Sequence, residues 1–445
     1  MRKTQDKDAA GMNGLRDWRV GRGLATVIAL VCVLGSSGCH RKVEGPVTLS
    51  FVDPEWATDT QKPRSTLMQE ALDEFTRKTG IVVKHLPAPE GTLEQKALVL
   101  HLLRQGAEAP DVYGIDIIWP GSLGEELVDL KPVFGEQLKG EDSELVANYT
   151  VNGRLVAVPY HTNIGTLRYR TDLLEKYGFH HPPRTWDELE MMAERIQKGE
   201  RAAGNKDLWG YVWAGAQGEG LTCDALEWQV AAGGGRIVEA DGRVSVNNPK
   251  AIGSWKRAAH WVGWISPPSV ISYRDFDIVN SLETRGNSAF ARMWTSDYFL
   301  SNPVDAPFFD RLGQTSLPGP GVLGGLGLAV SRSSVHQAEA MKLIQFLLDR
   351  ERKLEEERAR SKPPEHPVMR DLPAVLKAYA HVGRTEGVQP GGAVARPSTV
   401  TGVNYDLVST AYFEAVYSVL TGKAQAADSA ARLEEELIQI PGLRR

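Results

Sequence analysis

Apolar positions along the chain alternate between two periods. Residues 48–52 (Thr-Leu-Ser-Phe-Val) alternate apolar with polar and predict a strand. Residues 66–79 put Leu67, Ala71, Leu72 and Phe75 on one helical face, with Gly80 as the stop. A second strand is predicted over 81–86, a second helix over 93–105 closed by Gly106, and a third strand over 111–118. Strand and helix alternating at this spacing predict an α/β layer around a mainly parallel sheet.

Further along, apolar runs predict strands at 154–160 and 165–169. Thr185 opens a helix to Lys198, with Glu188 as its capping-box partner. Asn248-Pro249 opens another helix around 255–264, with the proline in its first turn. A short buried strand follows at 327–331, and a long helix with charged ends at 336–358. Residues 379–402, rich in Gly, Pro and Val, read as an irregular crossing segment, and 405–438 as largely helical. There is no internal repeat and no low-complexity tract.

The N-terminal pattern is different. Arg2, Lys3, Lys7, Arg16, Arg19 and Arg22 precede the uncharged run 23–34, which is too short to span a bilayer as a helix and suits a signal-peptide core. Leu34-Gly35-Ser36-Ser37-Gly38-Cys39 then resembles a bacterial lipobox, with Ser36 where Leu is usual. The expectation is a signal peptide at 1–38, a lipid on Cys39 and a tether at 39–45; the alternative is a plain secretory signal cut nearby. The residues from Cys39 onward amount to about two domains. The first 38 residues hold six of the 51 basic and three of the 56 acidic residues, which leaves the remainder at −8. With no basic stripe among aromatics, nothing attracts nucleic acid. Of three cysteines, Cys32 would leave with the leader and Cys39 would be acylated. Cys223, left alone, makes an internal disulfide or a cysteine zinc site impossible and reads as a small buried apolar residue.

Signals for catalysis are weak. Residues 319–324 fit G-x-G-x-x-G, but Pro320 lies inside and no suitable helix follows, so the segment reads as a hinge loop. No G-x-S-x-G elbow occurs. His180-His181 lacks metal-ligand spacing. Carboxylate pairs for a glycosidase are plentiful in any acidic chain, and their separation is not legible from sequence. No cofactor and no metal are expected.

Several stretches, taken in order, resemble the sugar-binding proteins of ABC importers, above all their trehalose/maltose branch. They are the run Pro110 to Pro120, Asn152-Gly153-Arg154 through Pro159-Tyr160, Leu167-Arg168-Tyr169-Arg170-Thr171-Asp172, Pro182-Pro183-Arg184-Thr185-Trp186, Glu219-Gly220-Leu221-Thr222-Cys223 and Ser266-Pro267-Pro268. The resemblance implies a two-lobed, type II-like periplasmic-binding-protein fold of α/β class with a discontinuous chain and hinge-connected lobes. Lobe one would take 46–161 and 323–362. Lobe two would take 162–322, with 363–445 supplying the crossing segment and C-terminal helices. It also implies a monomeric receptor, not an enzyme, that holds a di- or oligosaccharide between its lobes and delivers it to transmembrane permease subunits. A secreted glycoside-acting enzyme, or a binding protein for a polyol or glycerol phosphate ester, is the alternative.

A sugar asks for dense donors and acceptors, because each buried hydroxyl left unpaired costs about 1–3 kcal/mol, and for flat apolar platforms under its C–H faces. By resemblance the contacts are Glu55, Asp116, Trp119, Asn163, Trp294, Gly325, Leu326 and Arg396. Asp116 and Trp119 lie at the end of a predicted strand, where open α/β sheets place ligands; core packing is the alternative for Trp119. Asn163 stands where the family often has Asp and keeps both donor and acceptor. Leu326 stands where Trp is frequent, and Thr295-Ser296 replaces the usual Pro-Tyr after the stacking Trp294. A plain surface acid is the alternative for Glu55, and Tyr273 and Asp275 are weaker candidates. Trp186, Trp209, Trp255 and Trp261 are expected in the core.

Overall fold

In the computed structural model, which describes residues 46–53, 64–88, 92–106, 110–295, 307–308, 311–360 and 392–445, the first alternating segment becomes strand β1 (Thr48–Asp53). It pairs in parallel with β2 (Val82–Pro87) and with β3 (Val112–Asp116). The helices Arg64–Thr79 and Thr92–Leu103 make the connections. Met68, Ala71, Leu72 and Phe75 from one, and Val99 and Leu103 from the other, fill a first core beneath these strands.

The remaining strands are the small hairpin β4 (Thr150–Val151) and β5 (Arg154–Leu155), then β6 (Val158–Arg170), β7 (Trp209–Val212), β8 (Ser288–Trp294), β9 (Leu312–Ser316), β10 (Gly321–Val330) and β11 (Ala393–Val394). The main sheet runs β2-β1-β3-β10-β6-β8-β7, with β9 on β6 and β11 on β10. β10 is antiparallel to both β3 and β6, and β6 to β8 and β9, so the sheet is mixed: the parallel expectation holds for β2-β1-β3, and again for β7-β8 and β10-β11.

β6 and β10 each serve two cores. Val158 and Ile164 of β6 belong to the first core, and Leu167 and Tyr169 to a second one. Val322 of β10 belongs to the second, and Leu323, Leu328 and Val330 to the first. Between the cores, Pro159 to Asn163 are only partly buried or exposed. That gap explains why the apolar pattern predicts two strands where the chain builds one strand of 13 residues. The predicted loop at 319–324 is corrected likewise: from Gly321 on it is strand, fully buried, with glycine required where a Cβ on Gly321 would meet the Gly165 carbonyl oxygen at 2.3 Å.

The second core takes the helices Trp186–Ala202, Glu219–Ala231, Pro249–Trp261, Tyr405–Leu420 and Ala426–Leu437. Thr185 caps the first of these by accepting from the Glu188 amide at 3.1 Å, while the Glu188 carboxylate reaches back to the Arg184 amide at 2.7 Å. Asn248 accepts from the amides of Lys250 and Ala251. Trp186, Trp255 and Trp261 are core, as expected, with Trp228 edge-on to Trp261 at 5.5 Å. Trp209 is half-buried instead, with the Arg201 guanidinium 4.2 Å from its ring centroid. Cys223 is buried, and burial pushes its thiol up, away from thiolate.

Two ion pairs tie residues of the first core's elements to those of the second. Lys96 meets the Asp406 carboxylate at 2.7 Å, and Glu144 pairs with Arg236 while accepting from the Ala395 amide at 3.2 Å. No described helix is long and apolar enough to cross a membrane.

Beneath β6 lies a buried charge cluster. Arg292 on β8 donates to Glu227 at 2.7 and 3.0 Å and pairs with Asp224 at 2.9 Å, all at most 1% exposed. Glu227 also accepts from the Val322 amide at 2.9 Å, and Asp224 from the Ala214 amide at 2.8 Å. A Cβ on Gly165 would lie 1.9 Å from the Glu227 oxygen, so the strand crosses this cluster only as glycine. Removing the cation strands two buried carboxylates. Arg292→Met is expected to lower the unfolding free energy by about 3–5 kcal/mol, read by urea denaturation at pH 7.5; a loss below about 1 kcal/mol would contradict it.

Candidate functional site

Strand register alone brings several of the candidate residues into line. Asp116, the last residue of β3, sits opposite Leu326 of β10, and Leu326 sits opposite His161 of β6. One and two positions back along β10, Gly325 faces Thr162 and Gly324 faces Asn163. Trp294 ends β8 opposite Gly165. Asp116, Asn163, Gly325, Leu326 and Trp294 therefore lie on neighbouring strands where β6 and β10 pass from one core to the other. Glu55 and Ser296 lie outside the described residues, as does Cys39.

Asp116 is buried, and its Oδ1 accepts from the Ile118 amide at 3.1 Å. Burial pushes its carboxyl up to about 6, with the Arg396 guanidinium pulling the other way. Asn163 is half-buried and its Oδ1 accepts from the Thr295 hydroxyl at 3.3 Å. The same hydroxyl oxygen accepts from the Ile164 amide at 3.2 Å, so Thr295, which replaces an expected proline, orients Asn163.

Arg396 follows β11 and reaches back between the cores. Its Nη2 donates to the Leu323 carbonyl at 3.1 Å and its Nη1 to Glu219 at 2.7 Å. The Nε–H is buried with no hydrogen-bond partner among the described residues. Glu219, at the start of helix Glu219–Ala231, also accepts from Ser409 at 2.7 Å and from the Tyr405 hydroxyl. Glu219 thus has three side-chain donors. Sequence reasoning quoted this residue within a motif and missed its part; the only signal was an acid opening a helix. The network pairs Arg396 with Glu219 and leaves its Nε–H unspent.

Trp294 is half-buried. The Arg292 guanidinium lies 4.0 Å from its ring centroid, and its side chain hydrogen-bonds Asp275. Asp275, a weak candidate by sequence, is thus joined to the site through the indole.

Two apolar candidates have buried side chains. Trp119 is fully buried in the first core, because the turn after β3 folds it in beside Leu123 and Leu127. Leu326 is 4% exposed, so its side chain is packed within the sheet. Gly325 has a φ of +118°, and a Cβ there would lie 1.9 Å from the His161 carbonyl oxygen, which accounts for glycine at this position. Among the described residues no group of three His, Cys, Asp or Glu is placed to hold a metal ion.

The arrangement offers a carboxylate, a carboxamide, a free guanidinium N–H and an indole, with backbone passing close by. That is equipment for holding a polyhydroxyl compound. Comparisons with known proteins agree in kind. The family model for bacterial extracellular solute-binding proteins matches residues 57–353. A probable ABC transporter-binding protein of Deinococcus radiodurans is 40% identical over 404 residues, which cover 89% of this chain and 94% of that protein. The structure of maltose-bound MalE3 of T. maritima superposes with a TM-score of 0.71 at 29% identity, covering 88% of this chain and 99% of that one. A solute-binding protein of Thermotoga lettingae, solved with alpha-D-tagatose, shares the fold with a TM-score of 0.71 at 21% identity over 88% of this chain and 99% of its own. On the extent of these matches and the two-lobed α/β architecture, the chain belongs to the bacterial extracellular solute-binding protein family of ABC transporters.

Proposed function

We propose that this protein is the sugar receptor of an ABC importer, binding a di- or oligosaccharide of the trehalose or maltose kind between its two lobes and presenting it to the permease. The observation that carries the reading is the buried Arg396 Nε–H, unpaired among the described residues, of a guanidinium whose charge acts on Asp116 at the end of β3, with Asn163 and Trp294 on nearby strands. A buried donor without a partner is costly unless a ligand acceptor completes it. In this reading Asp116 accepts from sugar hydroxyls, Asn163 does both, Arg396 donates, and Trp294 supplies the apolar platform. Gly325 lets backbone approach the sugar, and Glu55 adds a hydroxyl contact. Maltose in the T. maritima relative supports the ligand class.

The glycosidase reading is weaker because Glu219, the carboxylate that pairs with Arg396 and whose charge acts on Asp116, is already occupied by three donors. A phosphate ester is disfavoured because the guanidinium it would need is already paired with Glu219. We also propose that residues 1–38 are a signal peptide and that Cys39 carries the lipid that tethers the receptor to the membrane. Cys39→Ala is expected to move the protein from the membrane fraction to the soluble one; unchanged membrane retention would overturn the anchor.

Tryptophan emission of the purified protein, titrated with trehalose and maltose, is expected to change saturably, with no new product on chromatography. Turnover of either sugar would replace the receptor by an enzyme.

Asp116→Asn separates binding from folding. A charged acceptor lost to a sugar hydroxyl is worth about 1.5–3 kcal/mol, or roughly 10- to 100-fold in Kd. For stability the sign is opposite. The folded carboxyl titrates at about 6, above its ordinary 3.8, so its contribution is full below pH 3.8 and is lost as pH rises through about 6. The Asn variant is therefore expected to be more stable than the parent at pH 7.5, by about 1–3 kcal/mol, with the gap closing toward pH 4. Thermal unfolding at the two pH values checks this; a variant less stable at pH 7.5 than the parent sinks the assignment.

A further inference from the structure

We infer that Gly324 is a positioning residue for the sugar-stacking wall: the missing side chain at this point of β10 sets where the Trp294 indole lies. This rests on the reading of Trp294 as the platform for the sugar. A Cβ at Gly324 would lie 2.7 Å from Cζ3, 3.1 Å from Cη2 and 3.2 Å from Cε3 of Trp294. The six-membered ring is seated against the bare backbone of Gly324, whose register partner is Asn163.

Gly324 differs from its neighbour. Gly325 is held at φ +118° with the His161 carbonyl oxygen in the place of any Cβ, so a side chain there disrupts backbone. Gly324 is outside the left-handed region, and the atoms a methyl would meet belong to one side chain. Alanine is thus acceptable to the strand and unacceptable only to the indole. The backbone here is held by the β6 ladder, in which Gly324 pairs with Asn163, and next to it the Gly325 carbonyl accepts from the Ile117 amide at 3.0 Å, so the ring is what yields. It cannot settle toward Arg292, because that guanidinium lies 4.0 Å from its centroid and is itself fixed by Glu227 and Asp224. A methyl at 324 therefore shifts the platform. Stacking is sensitive to such shifts, since a radial gap of about 0.5–1 Å already forfeits a quarter to a half of a dispersion contact.

The test is a double-mutant cycle with Gly324→Ala, Trp294→Ala and the pair together, titrated calorimetrically with maltose and trehalose. Gly324→Ala is expected to weaken binding about 3- to 10-fold in the parent, and less than about 2-fold in the Trp294→Ala background. Equal losses in both backgrounds would mean that residue 324 acts through the backbone and would overturn the inference, as would no loss in the parent. A second readout needs no sugar: acrylamide quenching of the emission component that Trp294→Phe removes. Gly324→Ala is expected to raise the quenching of that component, and unchanged quenching overturns the seat. If the parent binds neither sugar, the receptor reading for this sugar class fails, while the quenching result alone still decides what Gly324 does.

Discussion

The buried pairing of Arg292 with Glu227 and Asp224 is the constraint around which the candidate site is arranged. It joins β8 to the helix Glu219–Ala231, and through the Val322 amide it joins that helix to β10. β6 passes over it only because residue 165 has no side chain. A buried ion cluster is poor evidence for net stability, yet it tolerates little displacement, since losing one partner leaves the others charged in a medium that cannot solvate them. Burial pushes the Asp224 carboxyl well above the usual range, and the nearby guanidinium holds it back.

The same elements carry the ligand-facing groups. Trp294 is two residues beyond Arg292 on β8 and stacks against its guanidinium. Glu219 opens the helix that bears Glu227 two turns later, and it holds Arg396. The platform and the donor are therefore both referred to one helix, although they come from residues about 100 apart in the chain. Lys96 with Asp406, and Glu144 with Arg236, tie the two cores from other directions. These pairs are more exposed than the central cluster, so they are the ones that salt screens and that a hinge motion would exchange with water.

Much of this was legible from residue pattern. The strands and helices of the first core follow their apolar periods closely, and Thr185 and Asn248 cap the helices they precede. What the pattern hid is what belongs to two cores at once. The middle of β6 is half-buried and reads as an interruption, and the buried Gly321 to Gly324 stretch reads as loop because glycine there answers to neighbouring strands rather than to a turn. Among candidate residues, the line of Asp116, Asn163 and Gly325 follows from resemblance, and strand register then places the three together. Trp119 could not be assigned from sequence, since an aromatic after a strand serves a ligand or a core equally well. Glu219 and Arg292 were invisible as partners because ion pairs between distant segments leave no local signal.

Asp116 shows what such a site asks of the fold. A carboxylate buried at a strand end is destabilising while ionised, and the Arg396 guanidinium, the Ile118 amide and the Lys96 charge offset that burial in part. An apolar residue of similar size would make a more stable protein. Charge is retained where a hydroxyl-rich ligand can complete the shell that burial has stripped away. The Arg396 Nε–H stands in the same position, as a buried donor with no hydrogen-bond partner among the described residues. In the proposed receptor both deficits are relieved by one ligand. With the Leu326 side chain packed away, the aromatic candidate that stays half-buried among the described residues is Trp294. Discrimination among sugars then depends on whether hydroxyls fall opposite Asp116, Asn163 and Arg396. A sugar that leaves one of these groups unpaired is rejected more strongly than one that merely stacks less well.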